Sequence, residues 1–258
     1  MAHYLKVALI GNPNTGKTSV FNALTGLNQK VGNYPGITVE KKEGSCRLNR
    51  TTKAQILDLP GTYSLNASSM DESVVIELLL NRNDKDFPDV AVVITEVENL
   101  KRNLLLFTQI KDLEIPTLLV INMSDQMKRK GISLEVEQLQ QQLGTQVILT
   151  SMRQGEGIAE LKEALVNYRQ LPTVPLLDLN SIDNDYFSRL QKTFPSESLY
   201  KLWLVITQDV NFSSLARNRT QAATDFQVQS DAVLKRMQQK ETIKRYQIID
   251  QILKQADR

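Results

Sequence analysis

Residues 5–10 form a short apolar run, Leu5, Val7, Ala8, Leu9 and Ile10, broken only by Lys6. A run of that length and continuity predicts a strand covered on both faces. It ends at Gly11, and residues 19–24 then carry Val20, Phe21, Ala23 and Leu24 in the order of a helix. Further buried strands are predicted at 89–95, at 115–121 with Pro116 near its start, and at 146–149. Segments 70–80, 99–113 and 131–143 carry apolar residues at helical spacing, the last stopped by Gly144. Another helix opens at Gly155-Glu156-Gly157-Ile158 and runs to about Tyr168. Residues 40–48 and 53–57 read as two strands joined by the polar break 49–52. The stretch 31–44, dense in Gly, Asn and Pro, predicts a mobile loop.

Strands alternating with helices predict an α/β domain with an open, mostly parallel sheet, helices on both faces, and ligand at the carboxyl edge. After Pro172 and Pro175 that alternation stops. Residues 196–208, with Leu199, Leu202, Trp203 and Ile206, and residues 215–253, ending in Ile248, Ile249, Ile252 and Leu253, show helical spacing alone. Two units are therefore expected: 1–170, carrying the ligand, and 171–258, a small all-helical domain with Trp203 in its core.

The candidate chemistry sits after the strands. Gly11-Asn12-Pro13-Asn14-Thr15-Gly16-Lys17-Thr18 fits GxxxxGK[ST] between a strand and a helix. Glycines allow the backbone to curl so that successive N–H groups face phosphates, and the helix adds its positive end. Lys17 supplies a charge for the β- and γ-phosphates, and the Thr18 hydroxyl is a ligand for Mg²⁺. Asp58-Leu59-Pro60-Gly61 closes a strand with an acid that holds Mg²⁺ through water and a glycine N–H for a γ-phosphate. Within Gly36-Ile37-Thr38-Val39-Glu40, Thr38 is a candidate to complete the Mg²⁺ shell. Asn122-Met123-Ser124-Asp125 ends a strand with an Asn/Asp pair able to read guanine, its carboxylate accepting two hydrogen bonds that adenine does not offer.

Bulk composition narrows the classes. The chain has 258 residues, 41% of them hydrophobic, enough for a packed core. A net charge of +2 without an aromatic-studded basic stripe argues against a nucleic-acid partner. One cysteine, Cys46, excludes an internal disulfide and a cysteine metal cluster, and reads as strand filler; the sole histidine, His3, reads as solvated. No run approaches the length of a membrane span and no signal peptide is apparent, so a soluble chain of a reducing compartment is expected.

Taken together, GNPNTGKT, Thr38, DLPG, NMSD and Ser151-Met152-Arg153 resemble the cytosolic G protein of FeoB-type ferrous iron transporters. Val31–Glu40 is similar to that family's switch loop, Asp58–Leu65 to its second switch, and Asn99–Leu104 and Gly155–Ile158 also match its pattern. The resemblance implies a P-loop NTPase fold, a Ras-like G domain followed by a helical, GDI-like domain leading toward a membrane domain. It implies a slow GTPase that regulates ferrous iron uptake at the cytoplasmic face of the bacterial inner membrane. GTP or GDP contacts are implied at Gly11, Asn12, Pro13, Asn14, Thr15, Gly16, Lys17, Thr18, Gly36, Ile37, Thr38, Val39, Glu40, Asp58, Leu59, Pro60, Gly61, Asn122, Met123, Asp125, Ser151, Met152 and Arg153. Mg²⁺ is implied on Thr18, Thr38 and Asp58, and K⁺ on Asn14, as in the potassium-activated members. The chemistry itself falls to Lys17, Thr38, Gly61 and Asn14. Implied partners are the membrane domain, small accessory proteins of iron uptake and further copies of the chain.

This sequence departs from common GTPase patterns in four places. Thr62 stands where Ras-like proteins carry the water-orienting glutamine, Met123 and Ser124 replace the lysine of NKxD, Met152 replaces an alanine, and Ile94-Thr95-Glu96 lacks the family's aspartate. The alternative reading is a stand-alone assembly GTPase of the TrmE–Era type acting on ribosomes or RNA, which would require a basic appendage.

Overall fold

The computed structural model describes residues 3–66, 69–207 and 231–256. Its first strand, β1 (His3–Gly11), alternates strictly. Leu5, Val7 and Leu9 face one side of the sheet, and Ala8 and Ile10 the other. Because successive side chains point to opposite faces, a strand covered on both sides needs apolar residues at every position. The remaining strands are β2 (Gln29–Asn33), β3 (Glu40–Arg47), β4 (Thr52–Asp58), β5 (Val90–Glu96), β6 (Thr117–Asn122) and β7 (Val147–Leu149). They form one seven-stranded sheet in the order β2-β3-β4-β1-β5-β6-β7. Strands β4, β1, β5, β6 and β7 run parallel, and β2 and β3 are antiparallel additions at one edge.

One face is covered by α1 (Lys17–Thr25) and α6 (Ile158–Val166), through Val20, Phe21, Leu24, Leu161, Ala164 and Leu165. Helices α2 (Met70–Leu80), α3 (Leu100–Asp112) and α5 (Val136–Leu143) contribute to the second core with the other face, and α4 (Asp125–Lys130) buries no residue. The chain leaves β1 for one side of the sheet and returns at β5 on the other, so the connections diverge at the carboxyl end of β1. That divergence opens the crevice in which α/β sheets hold their ligands.

The second core continues without a break into α7 (Asn184–Thr193), α8 (Leu199–Thr207) and α9 (Asp231–Ala256). Trp203 is a core residue as expected, packed edge-to-face on Tyr186 and Phe187. The part of the expected helix from 215 that precedes 231 lies outside the described residues.

Where the C-terminal helices meet α3, a charged group is sealed from water. Arg245 donates to Asp112 Oδ2 at 2.8 Å and to Glu241 Oε1 at 3.0 Å, and its guanidinium lies 4.5 Å from the Tyr200 ring centroid. Trp203 Nε1 donates to Glu241 Oε2 at 3.0 Å, while Asp112 also accepts from the N–H groups of Leu176 and Leu177. Lys101 pairs with Asp250 at the other end of α3, so α9 runs antiparallel along it. At its C-terminus the Ala256 carbonyl accepts the Glu135 N–H at 2.9 Å, just before α5.

Three predicted elements differ. The stretch 31–44 is not one loop: β2 extends to Asn33, β3 begins at Glu40, and only residues 34–39 turn. Register with β3 supplies the order that composition does not, since all five residues of β2 are exposed. The helix expected over 131–143 forms only from Val136 to Leu143; Gly131 adopts φ 65 and ends α4, a separate short helix before that span, with the Ile132 N–H on the Met127 carbonyl. The last helix of the sheet begins at Ile158, three residues later than its opening glycine, and ends at Val166 before a 3₁₀ turn at Tyr168–Gln170.

Arg245→Met leaves two buried carboxylates, Asp112 and Glu241, without their cation. Removing one partner of a buried pair costs about 3–5 kcal/mol, and guanidinium denaturation followed by circular dichroism should show a loss of that size.

Candidate functional site

The segment after β1 forms a cradle of unengaged donors. Among the described residues, the N–H groups of Asn14, Thr15, Gly16, Lys17, Thr18 and Ser19 donate to nothing; the first backbone bond of the turn is Val20 N–H to Gly16 C=O at 3.0 Å. The loop is braced from inside by the Thr15 hydroxyl on the Asn12 carbonyl at 3.0 Å. Asn12 and Thr15 are buried, whereas Pro13, Asn14 and Thr18 are exposed. Asn14 has φ 67 and Gly16 φ 84. A Cβ on Gly16 would lie 2.2 Å from Asn122 Nδ2, so both its conformation and its surroundings require glycine.

On one side of the cradle stands the end of β4. Lys17 Nζ forms an ion pair with Asp58 Oδ1, both side chains being largely buried. Gly61 packs on Pro13, and the Thr62 N–H donates to the Gly11 carbonyl at 3.0 Å. The Thr62 side chain is fully buried and its hydroxyl donates to the Ser64 carbonyl at 2.9 Å, so it does not face a nucleotide. Leu59 is a core side chain and can contribute to a site only through its backbone; Pro60 is half-buried.

On the other side stands the end of β6. Asn122 Nδ2 donates to the Thr15 carbonyl at 3.1 Å, and Asn122 Oδ1 accepts from the Thr150 hydroxyl at 3.0 Å. Met123 has φ 61, and its methyl lies 3.9 Å from the position of a Gly16 Cβ, so this side chain covers the loop. Asp125, half-buried at the head of α4, accepts the Ser151 hydroxyl at 2.9 Å on Oδ1. Ser151 is buried and bridged to Glu156 through backbone bonds of 3.1 and 2.9 Å. The N–H groups of Met152 and Arg153 donate to nothing among the described residues, leaving donors beside Asp125. A left-handed non-glycine residue is uncommon, and two of the three described here, Asn14 and Met123, flank this crevice.

The 36–40 segment is not joined to the cradle. Gly36 and Thr38 are exposed on the turn, Ile37 is half-buried, Val39 is buried, and Glu40 pairs with Lys42 at 3.3 Å. The Thr38 hydroxyl makes no hydrogen bond among the described residues.

Several residues that structure the site carry no motif. Thr150 orients Asn122, and Gln109 of α3 accepts the Leu65 N–H at 2.9 Å, pinning the segment after Gly61. Glu96 accounts for the departure at the end of β5: its carboxylate accepts the Glu98 N–H at 2.9 Å and the Asn99 side chain, capping the 3₁₀ turn Val97–Asn99. Asn103 accepts the Glu96 N–H at 3.0 Å. Thr150 follows a strand next to the recognised Ser151 and was the one most open to sequence reading.

Comparison with known proteins adds the family. The model of ferrous iron transport protein B matches residues 5–165. The chain is 44% identical over 159 residues to the Fe(2+) transporter FeoB of Leptospira biflexa, covering 62% of this chain and 22% of that protein. It is 38% identical over 204 residues to the Fe(2+) transporter FeoB of Escherichia coli K12, covering 75% of this chain and 25% of that protein. This chain thus spans about a quarter of those relatives' length. Among solved structures, the cytosolic domain of the T. maritima FeoB iron transporter in a GDP form matches with a TM-score of 0.84 and 29% identity, over 99% of this chain and all of that one. Its GMPPNP form gives 0.81 at 28% identity, over 98% of this chain and 99% of that one. These likenesses extend through the C-terminal helices and do not favour the ribosome-bound alternative. With a P-loop G-domain fold and a family match over most of the sheet-bearing portion, the chain belongs to the ferrous iron transport protein B family.

Proposed function

We propose that residues 1–170 are a GTP-binding and slowly hydrolysing switch, and that 171–258 form a helical domain through which nucleotide state regulates ferrous iron uptake by an attached membrane domain. The observation that carries this reading is the row of six N–H groups at residues 14–19 that donate to nothing among the described residues, set between Asp58 and Asn122. Six donors converging at a helix N-terminus suit a polyphosphate. Lys17 would exchange its bond with Asp58 for the β- and γ-phosphates, and the carboxylate so released would hold Mg²⁺ through water. Exposed Thr18 would be a direct ligand. Mg²⁺ favours a hydroxyl, a carboxylate and phosphate oxygens over a cage of protein acids, and the donors here are of that kind.

The base would lie between Met123 and the 151–153 turn. Asp125, with one oxygen held by Ser151, would accept from the guanine ring N–H and amine, and the Met152 N–H would donate to its carbonyl oxygen. The GDP and GMPPNP forms of the T. maritima domain support a guanine nucleotide. Catalysis would rest on Lys17, the Gly61 N–H, Thr38 once swung inward, and a K⁺ ion at Asn14 acting as a neutralising charge. With Thr62 committed to Ser64, no side chain at that position orients the attacking water, which supports slow turnover. The cytoplasmic face of a bacterial inner membrane is the corresponding location, with accessory proteins of iron uptake and further copies of the chain as partners.

Two measurements test this. Asp125→Asn should weaken GTP binding roughly a hundredfold or more, the loss of two charge-assisted hydrogen bonds, and restore affinity for xanthosine triphosphate; ATP binding as tight as GTP in the unaltered chain would overturn the guanine assignment. GTP turnover should be faster in K⁺ than in Na⁺ buffer and should lose that difference in Asn14→Ala, whereas equal rates in both salts would remove the potassium role.

A further inference from the structure

The 34–39 turn is the tip of the β2–β3 hairpin, and its closing bonds are Tyr34 N–H to Val39 C=O at 3.0 Å and Ile37 N–H to Tyr34 C=O at 3.3 Å. Just beyond it, Lys41 Nζ pairs with Asp86 Oδ2 at 2.7 Å, with side chains only 15% and 25% exposed. The same ammonium lies 5.7 Å from the centroid of the Tyr34 ring. Asp86 is held in turn by its own N–H on Asp84 Oδ1 at 2.8 Å, within the turn between α2 and β5. Tyr34 is half-buried, and its hydroxyl is sealed without a partner among the described residues. Burial, and then the charges of Asp86, Asp58, Asp84 and Glu43, push its phenol well above the ordinary range. Tyr34 thus lies beneath the Lys41 ammonium with its hydroxyl buried.

We infer that the Lys41–Asp86 ion pair, with Tyr34 beneath it, is a latch that holds the 34–39 turn away from the cradle and sets the preference of this chain between GDP and GTP. Thr38 is exposed and makes no hydrogen bond from its hydroxyl among the described residues, so bringing it to Thr18 and Asp58 requires the turn to swing about its two ends. Both ends are fixed by this pair: Tyr34 packs under the ammonium, and Lys41 extends from the strand that follows. GDP has no γ-phosphate and makes no demand on Thr38, so the latch acts against GTP alone. A ligand shifts such an equilibrium only by its differential interaction with the two positions. The inference rests on the GTPase reading above. Neither Lys41 nor Asp86 belongs to the proposed phosphate or base contacts.

The test is equilibrium binding of fluorescent mant-GDP and mant-GMPPNP, with Mg²⁺, to the unaltered chain, Lys41→Met, Asp86→Asn and the charge-swapped pair Lys41→Glu/Asp86→Lys. Each single variant should bind mant-GMPPNP about two- to fivefold more tightly, the range for an ion pair of this exposure, with mant-GDP affinity unchanged. The swapped pair should return the ratio to that of the unaltered chain. A ratio that stays constant in variants with native circular dichroism, or an equal change for both nucleotides, overturns the latch and leaves the GTPase reading intact. An unaltered chain that binds neither nucleotide removes both.

Discussion

The carboxamide of Asn122 ties three separate segments together, and the rest of the crevice takes its shape from that tie. Its nitrogen holds the carbonyl of Thr15 and its oxygen takes the hydroxyl of Thr150, so the turn after β1, the end of β6 and the segment after β7 share one side chain. All three partners are buried, where an unsatisfied amide costs about 1–3 kcal/mol and a satisfied one fixes geometry. Gly16 follows from this: the carboxamide occupies the space in which a Cβ would stand. The strained backbone at Asn14 and Met123 lies on either side of the same tie, in keeping with the concentration of such conformations where a ligand is gripped.

What the sequence revealed and what it hid divide along physical lines. GNPNTGKT, DLPG and NMSD were legible because each is a short segment whose geometry is set locally, by glycine torsions and by its place at a strand end. The alternating core of β1 and the wholly buried β5 and β6 were legible for the same reason. β2 was not, because five exposed residues carry no apolar pattern and only pairing with β3 makes them a strand. α4 escaped notice because it buries nothing. The partnership of Asp112 with Arg245 spans 133 positions and leaves no trace at either one. Glu96, an unexplained departure by pattern, proved to be a turn cap whose role depends on Asn103 seven residues later.

The C-terminal helices are joined to the sheet portion by more than apolar contact. A charged cluster of this kind is weak evidence for stability in itself, since well-packed apolar residues often do as well. Its directional bonds do specify one seating. Arg245 reaches Asp112, Asp112 in turn receives the N–H groups of Leu176 and Leu177, and Lys111 donates to the carbonyl of Pro172. The connecting segment and α9 are thereby registered on the same turn of α3. That helix also supplies Gln109 to the segment after Gly61, so one rigid element touches both the nucleotide edge and the helical layer.

Trp203 is the only tryptophan of the chain. Its indole is buried among Tyr186 and Phe187 with its N–H on Glu241, far along the chain from every phosphate-loop residue. Intrinsic ultraviolet emission is therefore a built-in optical gauge of how the helical layer is packed. No dye or engineered label is needed to watch that layer while a nucleotide is added elsewhere.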